Sequence, residues 1–232
     1  MNNLILLRHG QSVWNKEKRF TGFADVELTE DLGKSEAKNA GQLIKKLNIE
    51  FDAYFTSRLK RAKNTLEIVL ETLNKKNVEF HEAWELNERH YGGLTGQNKE
   101  SILKKFGEEQ VKIWRRSFDV KPPIMELDHP YKNKIDSKIT GESLKDAALR
   151  VNQYYDKKIK PLLLKNKNVL VVFHGNSCRG LLMNIFNISK EKIIKLEIPT
   201  GNPLHIRFEN NLRVKDFKYL NKKRAKKILF NV

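Results

Sequence analysis

Leu4-Ile5-Leu6-Leu7-Arg8-His9-Gly10, near the start of the chain, is a short apolar run that ends in polar residues. A continuous apolar run of this length is typical of a strand that is buried on both faces. Val169-Leu170-Val171-Val172-Phe173 has the same character and is followed by His174-Gly175-Asn176-Ser177. Because strands buried on both faces occur in parallel sheets covered by helices, the two stretches favour an α/β fold.

Strand and helix patterns alternate along the rest of the chain. Apolar residues at helical spacing predict a helix capped by Thr29, a second over residues 59–73, and a long one that starts at Ser143. Further strands are predicted at residues 51–56, 204–208 and 214–220. The last two flank a polar turn and would form a hairpin. This order predicts a mainly parallel sheet flanked by helices on both faces.

The chain of 232 residues is predicted to form one domain with an insertion and a basic tail. The pattern is less regular over about residues 84–141, which include two consecutive prolines, and this segment is expected to lie over the carboxyl ends of the strands. The tail at residues 221–232 contains the one dense basic run, at residues 222–227. No internal repeat or Gly/Ser linker divides the sequence, so residues 1–232 are treated as a unit.

The composition excludes several classes of protein. A single Cys excludes a disulfide scaffold and a Cys-rich metal site, and it fits a reducing compartment. No apolar run approaches the length of a transmembrane helix. The apolar start is too short for a signal peptide. We therefore expect a soluble, cytoplasmic protein with no membrane partner.

The formal net charge of +17 raises the alternative of a nucleic-acid-binding protein. Most of the 45 basic residues are Lys scattered through the chain, which is typical of solvated faces. A nucleic-acid-binding surface would instead need clustered basic residues with exposed aromatic side chains. We therefore expect no nucleic-acid partner. An anionic small substrate remains as the ligand that the positive charge would attract.

Polar residues follow both buried strands at the edge where ligands bind in parallel sheets. His9 and His174 would face one crevice there, each followed by a Gly that lets the backbone turn close to a ligand. A third strand end, Thr56-Ser57-Arg58-Leu59-Lys60-Arg61, opens a helix whose N-terminus favours an anion. Together with Arg8, these residues predict a phosphate site.

Paired imidazoles can transfer a phosphoryl group. A neutral imidazole nitrogen is a nucleophile at neutral pH, and a second imidazole that is cationic can donate to the phosphoryl oxygens. Arginine adds permanently charged, bidentate donors. The histidines outside this pattern are interpreted as structural, namely His81, His129 and His205.

Leu6-Leu7-Arg8-His9-Gly10 together with His174-Gly175-Asn176-Ser177 resembles the histidine phosphatase superfamily, and most specifically its family of 2,3-bisphosphoglycerate-dependent phosphoglycerate mutases. The similarity continues, in order, to about Leu220. The further stretches that carry it are Trp14-Asn15-Lys16, Arg19-Phe20-Thr21-Gly22, the run from Leu86 to Lys99, Trp114-Arg115-Arg116, and the run from Ile198 to Leu204. Gln11 departs from the family, where Glu is frequent.

The resemblance implies a role for each matched residue. His9 would be the phosphorylated nucleophile and Glu88 the proton shuttle, while Arg8, Arg61 and His174 would complete the catalytic set around the phosphoryl group. The residues implied in substrate binding are Asn15, Thr21, Gly22, Arg89, His90, Tyr91, Lys99, Arg115, Arg116, Gly175 and Asn176.

The implied reaction is the glycolytic and gluconeogenic interconversion of 3-phosphoglycerate and 2-phosphoglycerate, with 2,3-bisphosphoglycerate as cofactor and intermediate. No metal is expected, since the sequence lacks ligand spacings such as H-E-x-x-H or paired Cys. The resemblance also implies a homodimer or a tetramer. The alternative within the fold is a broad-specificity phosphatase with the same histidines, and the insertion favours the mutase.

Overall fold

A six-stranded sheet forms the centre of the computed structural model, which describes residues 2–75 and 77–228. The strands are β1 (Asn2–Arg8), β2 (Ala53–Ser57), β3 (His81–Ala83), β4 (Val169–Phe173), β5 (Leu204–Phe208) and β6 (Val214–Tyr219). They are ordered β3-β2-β4-β1-β5-β6. The first four in this order are parallel, whereas β5 is antiparallel both to β1 and to β6, with which it forms the predicted hairpin.

Helices connect the strands and cover the sheet. The α-helices of the described residues are α1 (Val13–Lys16), α2 (Leu32–Lys45), α3 (Lys60–Thr72), α4 (Lys99–Phe106), α5 (Glu108–Arg116), α6 (Leu144–Tyr154), α7 (Lys160–Leu164), α8 (Gly175–Phe186) and α9 (Lys190–Ile193). Short 3₁₀ turns lie at Trp84–Leu86, Gly92–Leu94, Lys132–Lys134 and Lys222–Arg224.

Both faces of the sheet are buried, and β1 shows why. Leu4 and Leu6 point to one face, where they join the core formed with α6, α7 and α8. Ile5 and Leu7 point to the other face, where α2 and α3 pack. Successive side chains of a strand alternate between faces, so a strand covered on both sides must be apolar throughout. The predicted α/β class, a mainly parallel sheet with helices on both faces, is confirmed.

The long helix predicted from Ser143 is broken in the structure. Ser143 caps α6 with a capping box to Asp146, but a π-helical turn at Tyr155–Ile159 separates α6 from α7. Pro161 lies in the first turn of α7. Because proline lacks an N–H and its ring crowds the preceding turn, it interrupts the α-helical hydrogen bonds at this point.

Two smaller predictions also differ from the structure. Asp31, not Thr29, is the N-cap of α2, although the Thr29 Oγ1 still accepts from the Gly33 N–H at 2.8 Å. The parallel edge strand β3 is absent from the predicted elements. Its three residues include an exposed histidine and glutamate, so no apolar pattern marks it.

The segment at residues 84–141 contains α4 and α5 and packs against the loop after α1. Phe20 of that loop is buried with Leu94, Ile102 and Val111 of the segment. This packing brings the last turn of α5 to the same cavity as the end of β1. Among the described residues, no helix is long and apolar enough to cross a membrane.

Candidate active site

A cavity of about 540 Å³ opens beyond the carboxyl ends of β1 and β4. The sequence-predicted residues that line it are Arg8, His9, Asn15, Thr21, Gly22, Arg61, Glu88, Tyr91, Lys99, Arg115, Arg116, Gly175 and Asn176. His174 lies directly behind the wall, with its ring centroid 4.9 Å from that of His9. The structure thus brings together residues from five separate parts of the chain.

His9 is buried at the end of β1 in one defined tautomer. Its Nδ1 lies 2.6 Å from the Gly10 carbonyl oxygen, which can only accept, so Nδ1 carries the proton. Burial, with Arg61 and Arg8 nearby, lowers the pKa of His9 well below the ordinary 6.5. The ring is therefore neutral at pH 7, and Nε2 keeps the lone pair that a nucleophile needs.

The backbone after His9 is held by close packing. The Gly10 N–H donates to the Thr65 Oγ1 at 3.1 Å. A Cβ on Gly10 would lie 2.2 Å from the Gly33 carbonyl oxygen, a distance no side chain tolerates. Glycine at this position is therefore required for α2 to approach the strand end.

His174 pairs with Ser57, which lies at the end of β2. The His174 Nε2 is 2.7 Å from the Ser57 Oγ, and that oxygen also accepts from the Leu59 N–H. Nδ1 is buried without a hydrogen-bond partner among the described residues. When Ser57 donates to Nε2, Nδ1 carries the proton and is available to a phosphoryl oxygen.

The sequence analysis expects the second imidazole, that of His174, to be cationic. The structure indicates instead that this ring is neutral. Burial lowers the pKa of His174 well below 6.5, and the positive Arg61 adds to this effect. His174 is therefore neutral in the free protein. A bound phosphoryl dianion would favour the protonated ring, because an adjacent negative charge raises the pKa.

Two arginines present fixed charges to the same cavity. The Arg61 guanidinium, in the first turn of α3, donates to the carbonyl oxygens of Ala24 and Gly22 at 2.9 and 2.8 Å. Burial lowers the pKa of Arg61 to about 10, so it stays cationic at neutral pH. Arg8 donates to the Ile198 carbonyl, and its buried Nε has no partner among the described residues. A buried donor without a partner at this position suits an anionic ligand.

Asn15 has its amide oriented by the cap of α1. Its side-chain oxygen accepts from the Ser12 N–H at 3.2 Å, while the Ser12 hydroxyl accepts from the Asn15 N–H. The amide oxygen is therefore occupied and the amide NH₂ is left to donate toward the cavity, which suits a phosphoryl oxygen.

Glu88 lines the cavity and is nearly buried. One carboxylate oxygen accepts from the backbone N–H groups of Arg89 and Asn176, at 2.9 and 3.0 Å. The other oxygen remains available to a substrate hydroxyl. Asn176 also donates to the Tyr91 hydroxyl at 3.3 Å, so α8 and the Glu88 segment hold each other in place.

Tyr91 and Lys99 lie in a strongly positive part of the wall. Burial raises the pKa of Tyr91, but the charges of Arg89 and Lys99 outweigh it and bring the pKa to about 8. Burial also lowers the pKa of Lys99. Arg116 at the end of α5 pairs with Glu197 at 3.1 Å, across the mouth of the cavity.

Two predicted substrate-binding residues do not line the cavity. Arg89 is fully buried under Tyr91 and donates to the Trp114 carbonyl at the end of α5. The His90 Nδ1 accepts from the Gly92 N–H, and its ring packs on Phe23. These contacts hold α5 and the Glu88 segment. Arg89 Nε and Nη1 are buried without a hydrogen-bond partner among the described residues, so its role in substrate binding stays a prediction.

Sequence reasoning missed several cationic residues of the cavity. Arg19, Arg179, Arg224 and Lys226 also line it. Arg179 lies one helical turn after Asn176 and donates to its side-chain oxygen at 2.8 Å, a spacing that the sequence could have revealed.

The predicted basic tail also contributes to the site. Arg224 reaches the buried Glu36 and the Thr200 carbonyl, which brings the tail to the cavity mouth. The tail was predicted over residues 221–232, of which 229–232 lie outside the described residues.

The balance of charge around the cavity suits a polyanion. Nine cationic and two anionic side chains line it. Within residues 2–75 and 77–228, no cluster of three or more His, Cys, Asp or Glu side chains is placed to hold a metal ion. The chemistry available is therefore a neutral imidazole nucleophile, a carboxylate and several fixed cations.

Stability is expected to decrease as the pH falls below about 6.5. Burial lowers the pKa of four histidines, which are His9, His90, His174 and His205. The unfolded chain binds more protons than the folded one between the lowered pKa values and 6.5, so protons favour unfolding. Each histidine costs about 1 kcal/mol over one pH unit. Urea unfolding at pH 7.5 and 5.5 measures this, and an equal free energy at both would contradict it.

Comparison with known proteins agrees with this geometry. Residues 4–218 match the model of the histidine phosphatase superfamily, branch 1, so the chain belongs to that superfamily. Two relatives are named 2,3-bisphosphoglycerate-dependent phosphoglycerate mutase. The protein of Hydrogenobaculum sp. is 47% identical over 229 residues, 95% of this chain and 92% of the relative. That of Buchnera aphidicola is 47% identical over 226 residues, 94% and 98% of the two chains.

Solved structures share the fold at lower identity. A mycobacterial glucosyl-3-phosphoglycerate phosphatase superposes with a TM-score of 0.73 at 21% identity, covering 94% of this chain and 97% of that one. The α-ribazole phosphatase of Shigella flexneri gives a TM-score of 0.70 at 21% identity, covering 97% and 98%. At this identity the likeness concerns the fold alone.

Proposed function

We propose that this protein interconverts 3-phosphoglycerate and 2-phosphoglycerate through a phosphohistidine at His9, with 2,3-bisphosphoglycerate as cofactor. The observation that carries the proposal is the neutral His9 imidazole, whose Nδ1 is fixed by Gly10, in a wall of cations opposite Glu88. The relatives named for this activity support the same reaction. We also propose, from family resemblance, that the enzyme is a cytoplasmic homodimer or tetramer.

The residues present fit a bisphosphorylated sugar acid. Arg8, Arg61 and the orphaned His174 Nδ1 surround His9 and would hold the phosphoryl group near it. Lys99 and Arg116 also line the cavity, and they would hold the second phosphate or the carboxylate. When bound, 2,3-bisphosphoglycerate supplies the phosphoryl group that primes His9.

His9 would act as an in-line nucleophile. A bond forms between Nε2 and phosphorus while the bond from phosphorus to the substrate oxygen breaks. The donors around the phosphoryl group stabilise the charge on its three equatorial oxygens, and they are in place before the reaction. The Nδ1 proton, shared with the Gly10 carbonyl, remains on the ring and fixes its orientation.

Glu88 would move the proton at the substrate oxygen. In its protonated form it donates to the oxygen that leaves phosphorus. In the reverse direction its carboxylate accepts the proton of the hydroxyl that attacks phosphohistidine. The backbone N–H groups of Arg89 and Asn176 hold one oxygen and leave the other for this exchange.

Mutase turnover is expected to require 2,3-bisphosphoglycerate and no added metal. The cations of the wall supply the charge neutralisation that a metal gives elsewhere. Direct detection of 2-phosphoglycerate formed from 3-phosphoglycerate by ³¹P NMR, with and without 2,3-bisphosphoglycerate and in excess chelator, tests both expectations without metal-dependent coupling enzymes. Loss of turnover on chelation with recovery on Mn²⁺ would contradict the proposal.

Arg116→Ala is expected to shift the balance from mutase toward phosphatase. Arg116 lies in the last turn of α5, within the insertion, where it pairs with Glu197 and lines the cavity. It would retain the intermediate there. Loss of one charge-assisted contact typically weakens binding by about tenfold or more. Mutase flux should therefore fall about tenfold further than hydrolysis of 2,3-bisphosphoglycerate.

Lys112→Ala is the control for Arg116→Ala, because Lys112 is an exposed residue of α5 that does not line the cavity. Both activities are measured on one preparation at saturating substrate. A parallel loss of the two activities in Arg116→Ala would mean that retention by Arg116 does not distinguish mutase from phosphatase.

A further inference from the structure

Arg150 lies on α6, outside the cavity, and is buried against the segment that carries Glu88. Its Nη1 donates to the carbonyl oxygens of Glu85 and Asn87 at 2.7 and 2.9 Å. Its Nη2 donates to the carbonyl oxygen of Glu88 itself at 2.9 Å. One guanidinium therefore binds three carbonyls in four consecutive residues.

The remaining donors of Arg150 bind Glu142, so all five N–H groups are used. Nε and Nη2 lie 2.7 and 2.8 Å from the two Glu142 carboxylate oxygens. Glu142 also accepts from the His90 N–H at 2.9 Å, and its own N–H donates to the His90 carbonyl. The segment is thus fixed on both sides of Glu88 by one buried ion pair.

Helix α6 gives Arg150 a rigid base. Gly180 of α8 packs so closely against Ala148 that an added Cβ would lie 2.7 Å from the Ala148 Cα. Asn152, also on α6, donates to the Gly180 carbonyl at 3.1 Å. Since α8 provides the Asn176 N–H that binds the Glu88 carboxylate, α6 and α8 together fix both ends of the Glu88 residue.

We propose that Arg150 is a positioning residue for Glu88, which sets the carboxylate at the distance needed for proton transfer. The inference rests on the proposed function, in which Glu88 exchanges a proton with the substrate oxygen. A displacement of the Glu88 carboxylate by a fraction of an ångström would lower the rate, because proton transfer requires hydrogen-bond contact. Lysine, with three donors on one nitrogen, cannot reproduce the five-donor fork.

The test is a double-mutant cycle on mutase turnover with the full-length protein. Arg150→Lys is expected to lower kcat by about 10- to 50-fold with a smaller change in KM. Combined with Glu88→Gln, it should add less than about threefold to the loss caused by Glu88→Gln alone, because a residue that acts through Glu88 has little left to position. Losses that multiply would overturn the proposal.

Glu142→Gln provides a second variant that keeps Arg150 in place but removes the charge that orients it. Glu142→Gln is expected to lower kcat less than Arg150→Lys and to show the same non-additivity with Glu88→Gln. If Arg150→Lys does not fold, this variant tests whether Arg150 positions Glu88. Arg207→Lys is the control, since Arg207 forms a fork with Asp216 at the surface hairpin. Equal loss in this control, or unchanged kcat in both folded variants, would overturn the proposal.

Failure of the proposed function is distinguishable from failure of this inference. Wild-type protein without mutase turnover would refute the function before any variant is compared. The cycle can then be measured on phosphomonoester hydrolysis, where Glu88 would protonate the same leaving oxygen. Non-additive losses in hydrolysis would still support Arg150 as the positioning residue, and multiplying losses would still overturn it.

Discussion

His9→Ala is expected to lower mutase turnover by roughly 10⁴-fold or more, because it removes the nucleophile on which both half-reactions depend. The surrounding cations stay in place, so the variant should still bind 2,3-bisphosphoglycerate. The effect should therefore fall on kcat and not on binding. Steady-state kinetics measure kcat, and equilibrium binding of 2,3-bisphosphoglycerate measures the affinity separately.

His81→Ala is the matched control for His9→Ala. His81 lies on the edge strand β3, exposed and stacked on Phe55, well away from the cavity. Its loss should leave turnover within about twofold, as for most exposed positions. Turnover of His9→Ala near the wild-type level would refute the nucleophile assignment.

Glu88→Gln is expected to lower kcat by roughly 10²-fold or more, with a much smaller change in substrate binding. The amide keeps the acceptor that the Arg89 and Asn176 N–H groups bind, but it cannot exchange a proton. The first-turnover burst of p-nitrophenolate from p-nitrophenyl phosphate should fall far less, since that weakly basic leaving group needs no protonation and the later attack of water on phosphohistidine is not part of the burst. The ratio of mutase turnover to the burst rate of p-nitrophenolate release therefore reports the contribution of proton transfer by Glu88.

Glu85→Gln is the control for Glu88→Gln, since Glu85 lies three residues earlier and does not line the cavity. It should leave both rates close to those of the wild type. Equal losses of mutase turnover and of the burst rate of p-nitrophenolate release in Glu88→Gln would assign Glu88 a structural role instead of a proton-transfer role.

The sequence was most informative where one local pattern implied one structure. Continuous apolar runs at β1 and β4 had to be strands buried on both faces, and their parallel alignment then placed His9 and His174 together. The break before Pro161 could also have been foreseen from the missing N–H. The short edge strand β3 could not, because its pairing with β2 comes from tertiary contacts and not from its own side chains.

Several of the missed residues act through long-range contacts. Arg150 looked like part of an amphipathic helix, since nothing near it in sequence reveals that its donors reach Glu85 and Glu88 more than sixty residues earlier. Arg224 lies in the dense basic run of the tail, for which the sequence indicated no partner, yet it reaches Glu36. Contacts of this kind depend on how distant segments are brought together, which local periodicity does not encode.

The fate of the phosphoryl group tests the central claim most directly. The protein is incubated with 2,3-bisphosphoglycerate labelled in its phosphoryl groups, and the acid-labile label is mapped by proteolysis. The isolated phosphoprotein is then mixed with unlabelled 3-phosphoglycerate. We expect label on His9 that passes to phosphoglycerate faster than to water. Label on another residue, or release mainly as inorganic phosphate, would contradict the proposed function.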